Sequence, residues 1–284
     1  MLRKVPQVPQ IPRTILITGA SSGIGRCAAL MFRDRGWRVF ATARKDEDLA
    51  ALEAENVTPI RLELADTASV QSTAAQVLNA TGGRLDALFN NGAYGQSGAI
   101  EDLSRRALEE QFATNLFGTV ELTNAVLPAM RANGHGRIVM NSSVLGLVSL
   151  AYRGAYNASK YALEGVCDTL RLELKGSGIH VCLVEPGPIL SRFRANSYLA
   201  FQRHIDAEAS VHRDRYRAMR ERLNTKGAAV PFTLPPEAVV KKVIHAVESR
   251  SPRPRYYVTF PTYLFGLLRR VLSTRMLDRL LARV

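Results

Sequence analysis

Three residues in the stretch SSVLGLVSLAYRGAYNASK have types and spacings that could do chemistry: Ser143, Tyr156 and Lys160. Ser143 stands thirteen residues before Tyr156, and Tyr156 four before Lys160. Four residues are about one helical turn, so in a helix beginning near Ala155 the phenol and the ammonium share a face. A free phenol titrates near pH ~10. An adjacent ammonium favours its phenolate and draws that value toward the working range, as a proton donor and acceptor requires. Taken singly, such residues have ordinary explanations: a tyrosine in a core with its hydroxyl satisfied, a serine pair capping the end of a strand, and, further back, Asn115 as a hydrogen bonder inside a helix. Two neighbours compete for the phenol's part. Tyr161 follows Lys160 directly and points elsewhere on the helix, and Tyr152 has no lysine one turn on.

The elements that must position these groups are legible as alternation. TILITG, RVFATA, TPIRLEL, LDALFNN, GRIVMNSS and IHVCLVEPG read as six short apolar strands, and YYVTF as a seventh. Between them lie amphipathic stretches, Gly23 to Arg35 and Ser104 to Asn133 among them, that read as helices. Strands apolar along their whole length, alternating with helices, imply an α/β fold: a doubly wound parallel sheet of about seven strands, helices on both faces, and a C-terminal helical extension. No internal repeat or linker divides the chain, so 1–284 reads as one domain. Within it, 1–12 is a lead, the polar segment 192–227 a lid over the sheet's end, and 262–284 an amphipathic helix.

After the first strand, TGASSGIG places Gly19, Gly23 and Gly25 at a strand-to-helix junction. Glycines there allow a tight turn and let a pyrophosphate approach the helix N-terminus, whose amides and dipole favour anions. With the later motifs, this turn makes the chain resemble the short-chain dehydrogenase/reductase family over about residues 13–200. NNGAYG from Asn90 is similar to that family's Asn-Asn-Ala-Gly element with Gly92 and Ala93 exchanged, NLFG from Asn115 to its active-site asparagine, and EPGP from Glu185 to its Pro-Gly turn. Ser143, Tyr156 and Lys160 match its catalytic serine and Tyr-x3-Lys pair. Within the family the whole chain looks most like bacterial NADP-dependent aldehyde reductases, with retinol and 17β-hydroxysteroid dehydrogenases as wider kin.

That resemblance implies a Rossmann-type fold and hydride transfer between a nicotinamide cofactor and a carbonyl. Tyr156 would protonate the alkoxide, Ser143 would orient the carbonyl oxygen, Lys160 would hold the nicotinamide ribose, and Asn115 would keep a water relaying protons to solvent. It also implies cofactor contacts by Gly19, Ser21, Ser22, Gly23, Ile24, Gly25, Glu63, Leu64, Asn91, Tyr156, Lys160, Pro186, Gly187, Ile189 and Ser191. The choice of dinucleotide rests on the end of the second strand. There an acid would bond the ribose 2′-hydroxyl of NAD, whereas RVFATARK offers Ala43, Arg44 and Lys45. Arg44 can grip a 2′-phosphate bidentately, so NADP(H) is expected. A complete catalytic set argues against a non-catalytic NADP-binding regulator.

The chain carries 38 Lys+Arg against 25 Asp+Glu, a net charge of +13. Much of the excess is late: Arg192 to Lys226 holds nine basic residues against four acids, and Thr262 to Val284 five arginines against one aspartate. Without zinc-finger spacing or interleaved aromatic residues, this points away from nucleic acid and toward a basic surface near an active-site mouth. The three cysteines show no metal or redox spacing, and there is no signal-peptide core or eighteen-residue apolar run, so a cytoplasmic protein without metal is expected. Phe193, Tyr198, Leu199 and Phe201 could line a pocket for a lipophilic carbonyl compound or alcohol, or could pack a lid helix. The lid's arginines could meet an anionic substrate handle or only stay solvated. The tail's leucines are expected to pack on the domain, the alternative being peripheral contact with the inner face of an anionic membrane. The resemblance adds a homodimer or homotetramer.

Overall fold

The computed structural model of the chain describes residues 12–224, 227–228 and 230–283. Of the 1–12 lead only Pro12 is among them, and Thr225, Lys226, Ala229 and Val284 also lie outside. Seven parallel strands form one sheet in the order β3-β2-β1-β4-β5-β6-β7: β1 Thr14–Ile17, β2 Arg38–Ala43, β3 Thr58–Arg61, β4 Ala87–Asn90, β5 Gly136–Asn141, β6 Ile179–Glu185 and β7 Arg255–Tyr257. The strand order reverses between β1 and β4, and the crevice at the carboxyl ends of such a pair is where open α/β sheets bind ligands. All four side chains of β1 and of β4 are buried, as the uninterrupted apolar runs require.

Helices cover both faces. On one, α1 (Gly23–Asp34), α2 (Asp46–Ala54) and α9 (Glu237–Glu248) pack Phe32, Leu52 and Val243 on Ile15, Ile17 and Val39. On the other, α3 (Thr67–Thr81), α5 (Gly118–Ala132) and α6 (Gly154–Glu173) pack Val77, Leu122 and Leu163 on Leu16, Leu88 and Ile138. Local chemistry sets the boundaries. Asp66 caps α3 by accepting from the Ala68 amide at 3.1 Å, and Gly82 ends it in the left-handed conformation.

Three expectations change. The stretch Ser104–Asn133 is not a regular helix: α4 (Arg105–Phe112) runs into a π-helical turn, Ala113–Phe117, before α5. The polar lid contains two helices, α7 (Phe193–His204) and α8 (Arg213–Asn224), whose Phe201, Tyr216, Met219 and Leu223 share a third apolar cluster with Ala99, Leu103 and Ala155. The tail is two helices rather than one, α10 (Phe260–Val271) and α11 (Thr274–Leu281). It packs its leucines inward only in part: Leu268, Leu272, Leu277 and Leu281 are half-buried and none is fully buried. Thr262 and Gly266 face the domain, while Tyr263, Leu264, Leu267 and Val271 are exposed. Gly266 explains this choice of face, because a Cβ there would lie 2.7 Å from the Tyr257 ring, so only a bare backbone fits that close an approach. Among the described residues no helix is long and apolar enough to cross a membrane.

Candidate active site

The junction of β1 and α1 is built as the glycine spacing requires. Gly19 has φ +66°, and a Cβ on it would lie 2.7 Å from the Gly92 Cα, so both the conformation and the approach of the β4 loop demand glycine. Gly25 meets the Gly19 carbonyl so closely that a Cβ would stand 2.2 Å from that oxygen. Asn91 fastens the turn from the neighbouring strand: its amide donates to Thr18 O at 3.0 Å and Gly19 O at 3.1 Å, and its Oδ1 accepts from Asn141 Nδ2 at 2.9 Å. With both ends of that side chain committed to the protein, Asn91 acts on the site through the turn it holds.

From Ser21 to Gly25 the chain enters α1 with no side-chain cap and no acid in the first turn. The amides there are the orphan donors of a helix N-terminus beside the switch of strand order, which fits a dinucleotide's pyrophosphate. At the end of β2, Arg44 is exposed and pairs with Glu63 Oε2 at 3.3 Å, while Glu63 Oε1 accepts from the Ala65 amide. Leu64 is buried beside Gly92. On the far side, Pro186 O accepts from the Val144 amide at 2.8 Å, Gly187 lies against Thr259, Ile189 bridges to Leu234, and Ser191 sits against Gly23. These contacts bring the Pro-Gly turn, the serine segment and the glycine turn around one crevice.

Tyr156 and Lys160 lie one turn apart on α6, both buried, with the Lys160 nitrogen 5.7 Å from the centre of the Tyr156 ring. Ser143 ends the loop after β5; its Oγ accepts from the Leu145 amide at 3.1 Å, which leaves its proton free to donate. Burial pushes the Tyr156 phenol up to about 12, against the pull of its hydrogen bond with Ser143 and of the Arg153 guanidinium. This reverses the expectation that Lys160 brings the phenol down. The Lys160 ammonium donates to Asn141 O at 2.7 Å, and burial lowers its own value to about 8. Burial is thus the largest cause acting on both groups.

Asn115 occupies the π-helical turn, an irregularity that frequently marks functional sites. Its side chain accepts from the Tyr94 amide at 3.1 Å and donates to Tyr94 O at 2.9 Å and Ser159 Oγ at 3.2 Å. It thus clamps the β4 loop to α6. Asn141 went unnoticed in the sequence: its backbone carbonyl receives Lys160 and its side chain reaches Asn91, so one residue joins the lysine to the glycine turn. Nothing in its type or spacing signals that, because half of its work is done by a main-chain atom.

The lid aromatics divide. The Phe193 ring stands 5.2 Å from that of Tyr156, Phe201 is wholly buried in the lid's cluster, Tyr198 packs beside that cluster, and Leu199 is exposed. The lid is tied down by polar contacts: Asp102 accepts from Ser210 at 2.6 Å and from the Tyr216 hydroxyl, and His204 meets Glu110 at 3.1 Å.

Comparison with known proteins accords with this geometry. A family model described as short chain dehydrogenase matches residues 13–200. The chain is 42% identical over 269 residues, 95% of its length and 94% of the relative's, to the uncharacterized oxidoreductase YbbO of Escherichia coli. It is 36% identical over 259 residues to retinol dehydrogenase 8 of Bos taurus, covering 85% of this chain and 80% of that one. Among solved structures, a short-chain dehydrogenase from Streptomyces avermitilis superposes with a TM-score of 0.74 at 29% identity, covering 97% and 96% of the two chains. A Burkholderia phymatum relative in complex with NAD (TM-score 0.73, 25% identity, 92% of each chain) and an actinorhodin polyketide ketoreductase with NADPH (0.71, 26%, 87% and 95%) share the fold.

Proposed function

The chain belongs to the short-chain dehydrogenase/reductase family, and on that premise we propose that it reduces an aldehyde or ketone with NADPH, with Tyr156 as the general acid. The observation that carries the reading is the buried phenol of Tyr156 between Ser143 and the Lys160 turn, at the sheet edge where the glycine turn and the Pro-Gly turn meet. NADPH supplies the hydride. Amides of residues 21–25 bind its pyrophosphate, and Arg44 its 2′-phosphate. Ser143 donates a hydrogen bond to the carbonyl oxygen and holds it beside the phenol. Tyr156 gives its proton to the oxygen that becomes the alkoxide. With its value near 12 the phenol is fully protonated at neutral pH, the form reduction needs. Lys160 holds the nicotinamide ribose and returns a proton to Tyr156, assisted by its own lowered value.

The test is NADPH consumption over a panel of short and long aldehydes, retinal and a ketosteroid. Tyr156→Phe is expected to lose at least about a thousandfold in kcat while retaining NADPH binding, the scale of an essential general acid. Turnover by the phenylalanine variant near the wild-type rate would remove Tyr156 from the chemistry. Cofactor choice has its own measurement. Arg44→Ala is expected to raise the NADPH KM about tenfold, one charge-assisted contact, and to leave NADH little affected. Equal effects on both cofactors would place Arg44 away from the 2′-phosphate.

A second reading is a membrane-associated dehydrogenase of retinoid or steroid type. The exposed apolar stripe on α10 beside the tail arginines favours it. Either reading has the chain assembling as a dimer or tetramer through helices flanking the site, where Phe117 and Leu172 stand exposed near α5 and on α6.

A further inference from the structure

The lid and the segment before α6 carry nine arginines, of which Arg213 and Arg215 are exposed, and the other seven fall into two groups. Arg203 lies 3.9 Å from Glu110, Arg220 3.1 Å from Glu208, and Arg217 3.8 Å from Asp214. Arg192 is exposed. Arg153, Arg194 and Arg222 are half-buried, yet none of the three pairs with a carboxylate among the described residues. Arg194 donates one nitrogen to Gly227 O, while its other terminal nitrogen, Nη1, is enclosed without any hydrogen-bond partner. Arg153 is the residue before α6, three before Tyr156, and its charge acts on the Tyr156 phenol. Arg194 follows Phe193, whose ring stands 5.2 Å from that of Tyr156, and Arg222 precedes Leu223, which shares an apolar cluster with Ala155, so α7 and α8 each bring an arginine-bearing turn to the start of α6.

These charges feel one another. Burial and then Arg222 push Arg153 down to about 10, and burial and then Arg194 lower Arg222. A half-buried cationic cluster with no counter-ion is costly, and a bound anion relieves both the desolvation and the repulsion. The walls around it are apolar: Phe193 against Gly95 and Tyr156, and the lid cluster around Tyr216 and Leu223. A few polar groups set among apolar side chains are how small-molecule sites fix orientation.

We propose that Arg153, Arg194 and Arg222 form an anion subsite beside Tyr156, so that the substrate is a carbonyl compound carrying a carboxylate or a phosphate. This rests on the reductase reading above, and deepens it by naming the substrate class. The arginines discriminate by the bidentate geometry a guanidinium offers to either anion. The spacing between carbonyl and anion sets the chain length that turns over fastest.

Matched pairs of aldehydes test it: 4-oxobutanoate against butanal, and 9-oxononanoate against nonanal, with NADPH in excess. The wild type is expected to favour the anionic member of at least one pair at least tenfold in kcat/KM. In Arg222→Gln that ratio is expected to fall to near one, with partial recovery in Arg222→Lys. A ratio near one in the wild type for both pairs overturns the proposal. So does an Arg222→Gln variant that keeps the ratio and raises the NADPH KM instead, since the arginines would then serve the cofactor's diphosphate. A readout independent of turnover separates this idea from the reductase reading. Butanoate, and not butanamide, is expected to raise the melting temperature of the full chain with NADP present, and to do so less in Arg222→Gln. No aldehyde turnover together with this anion-specific shift would sink the reductase reading and keep the subsite. Absence of the shift in the wild type would sink the subsite.

Discussion

Lys160 is the residue whose position costs the fold most directly. Its ammonium is nearly inaccessible, 3% exposed, and its value is lowered to about 8 from an ordinary 10.5. At pH 7 both the folded and unfolded chains hold that proton, and the folded one holds it at a penalty of about 3 kcal/mol by the size of the shift. Lys160→Met removes the penalty and forfeits the bond to Asn141 O, about 1 kcal/mol. The cofactor-free variant is therefore expected to be more stable by about 2 kcal/mol at pH 7 in urea unfolding. The difference shrinks above pH 8. There the folded lysine has released its proton while the unfolded chain still binds one, so the wild type gains stability as pH rises and the gap closes toward pH 10. A methionine variant less stable than the wild type at pH 7 would mean that the buried ammonium has a compensating partner. The proposed roles of Tyr156, Lys160 and Ser143 are legible in the sequence because that chemistry needs those side chains at fixed spacings. Those of Asn141 and Thr18 are not, since Asn141 receives Lys160 with a backbone carbonyl and Thr18 serves as an acceptor for amides of the β4 loop.

Among the elements, strands were the most legible and helix interruptions the least. Continuous apolar runs mark β1 to β6 because both faces of the sheet are covered, and three-residue β7 was visible only as part of YYVTF. The π-helical turn at Ala113–Phe117 leaves the 3.6-residue pattern of Ser104–Asn133 almost intact, so periodicity cannot reveal it. The same holds for the charge cluster that ties α6, β6 and β7 together. Arg255 meets Glu164, Glu185 at 2.6 Å and Asp168 at 2.7 Å, residues spread over ninety positions of sequence. Burial, and then the neighbouring Glu164, push wholly buried Glu185 up to about 8. A carboxyl raised in this way is best accommodated protonated, so its contribution is complete below the ordinary carboxylate value and lost as pH rises through 8. The melting temperature of the wild type is thus expected to decline from pH ~5 to ~8, and Glu185→Gln to flatten that decline, in thermal unfolding across the range. An unchanged slope in the glutamine variant would assign the dependence to another group. Arg255 itself keeps two carboxylates in that variant, which makes loss of the fold an unexpected result.

At the scale of the whole molecule, the charge of +13 is unevenly placed, and the C-terminal helices concentrate it beside apolar surface. Phe260, Tyr263, Leu264, Leu267 and Val271 recur at helical spacing on the exposed side of α10, while Arg269 on the domain side donates to Leu147 O at 2.5 Å. In α11, Met276 and Leu280 are exposed among Arg275, Arg279 and Arg283, with Asp278 the one acid. The expectation that tail leucines pack inward holds only in part, with Leu268, Leu272, Leu277 and Leu281 half-buried, because a leucine stripe defines an apolar face without saying what lies against it. Gly266 and Thr262, the fully buried residues of α10, carry no hydropathy signal. An amphipathic helix pair of this kind suits the headgroup region of an anionic bilayer. A net charge of four in the tail contributes on the order of 4 kcal/mol at such a surface, at about 1 kcal/mol per basic residue, and Tyr263 and Leu267 add apolar burial. The full chain is therefore expected to float with phosphatidylglycerol vesicles at low salt, to remain in solution with phosphatidylcholine vesicles, and to be released as salt screens the charge. Leu267→Glu with Val271→Glu places two carboxylates in the stripe and should abolish flotation without altering the oligomeric state. If that double variant instead turns a dimer into a monomer, the stripe is covered by a second copy of the chain, and the arginines around it are left to the anionic ligands of the active-site mouth.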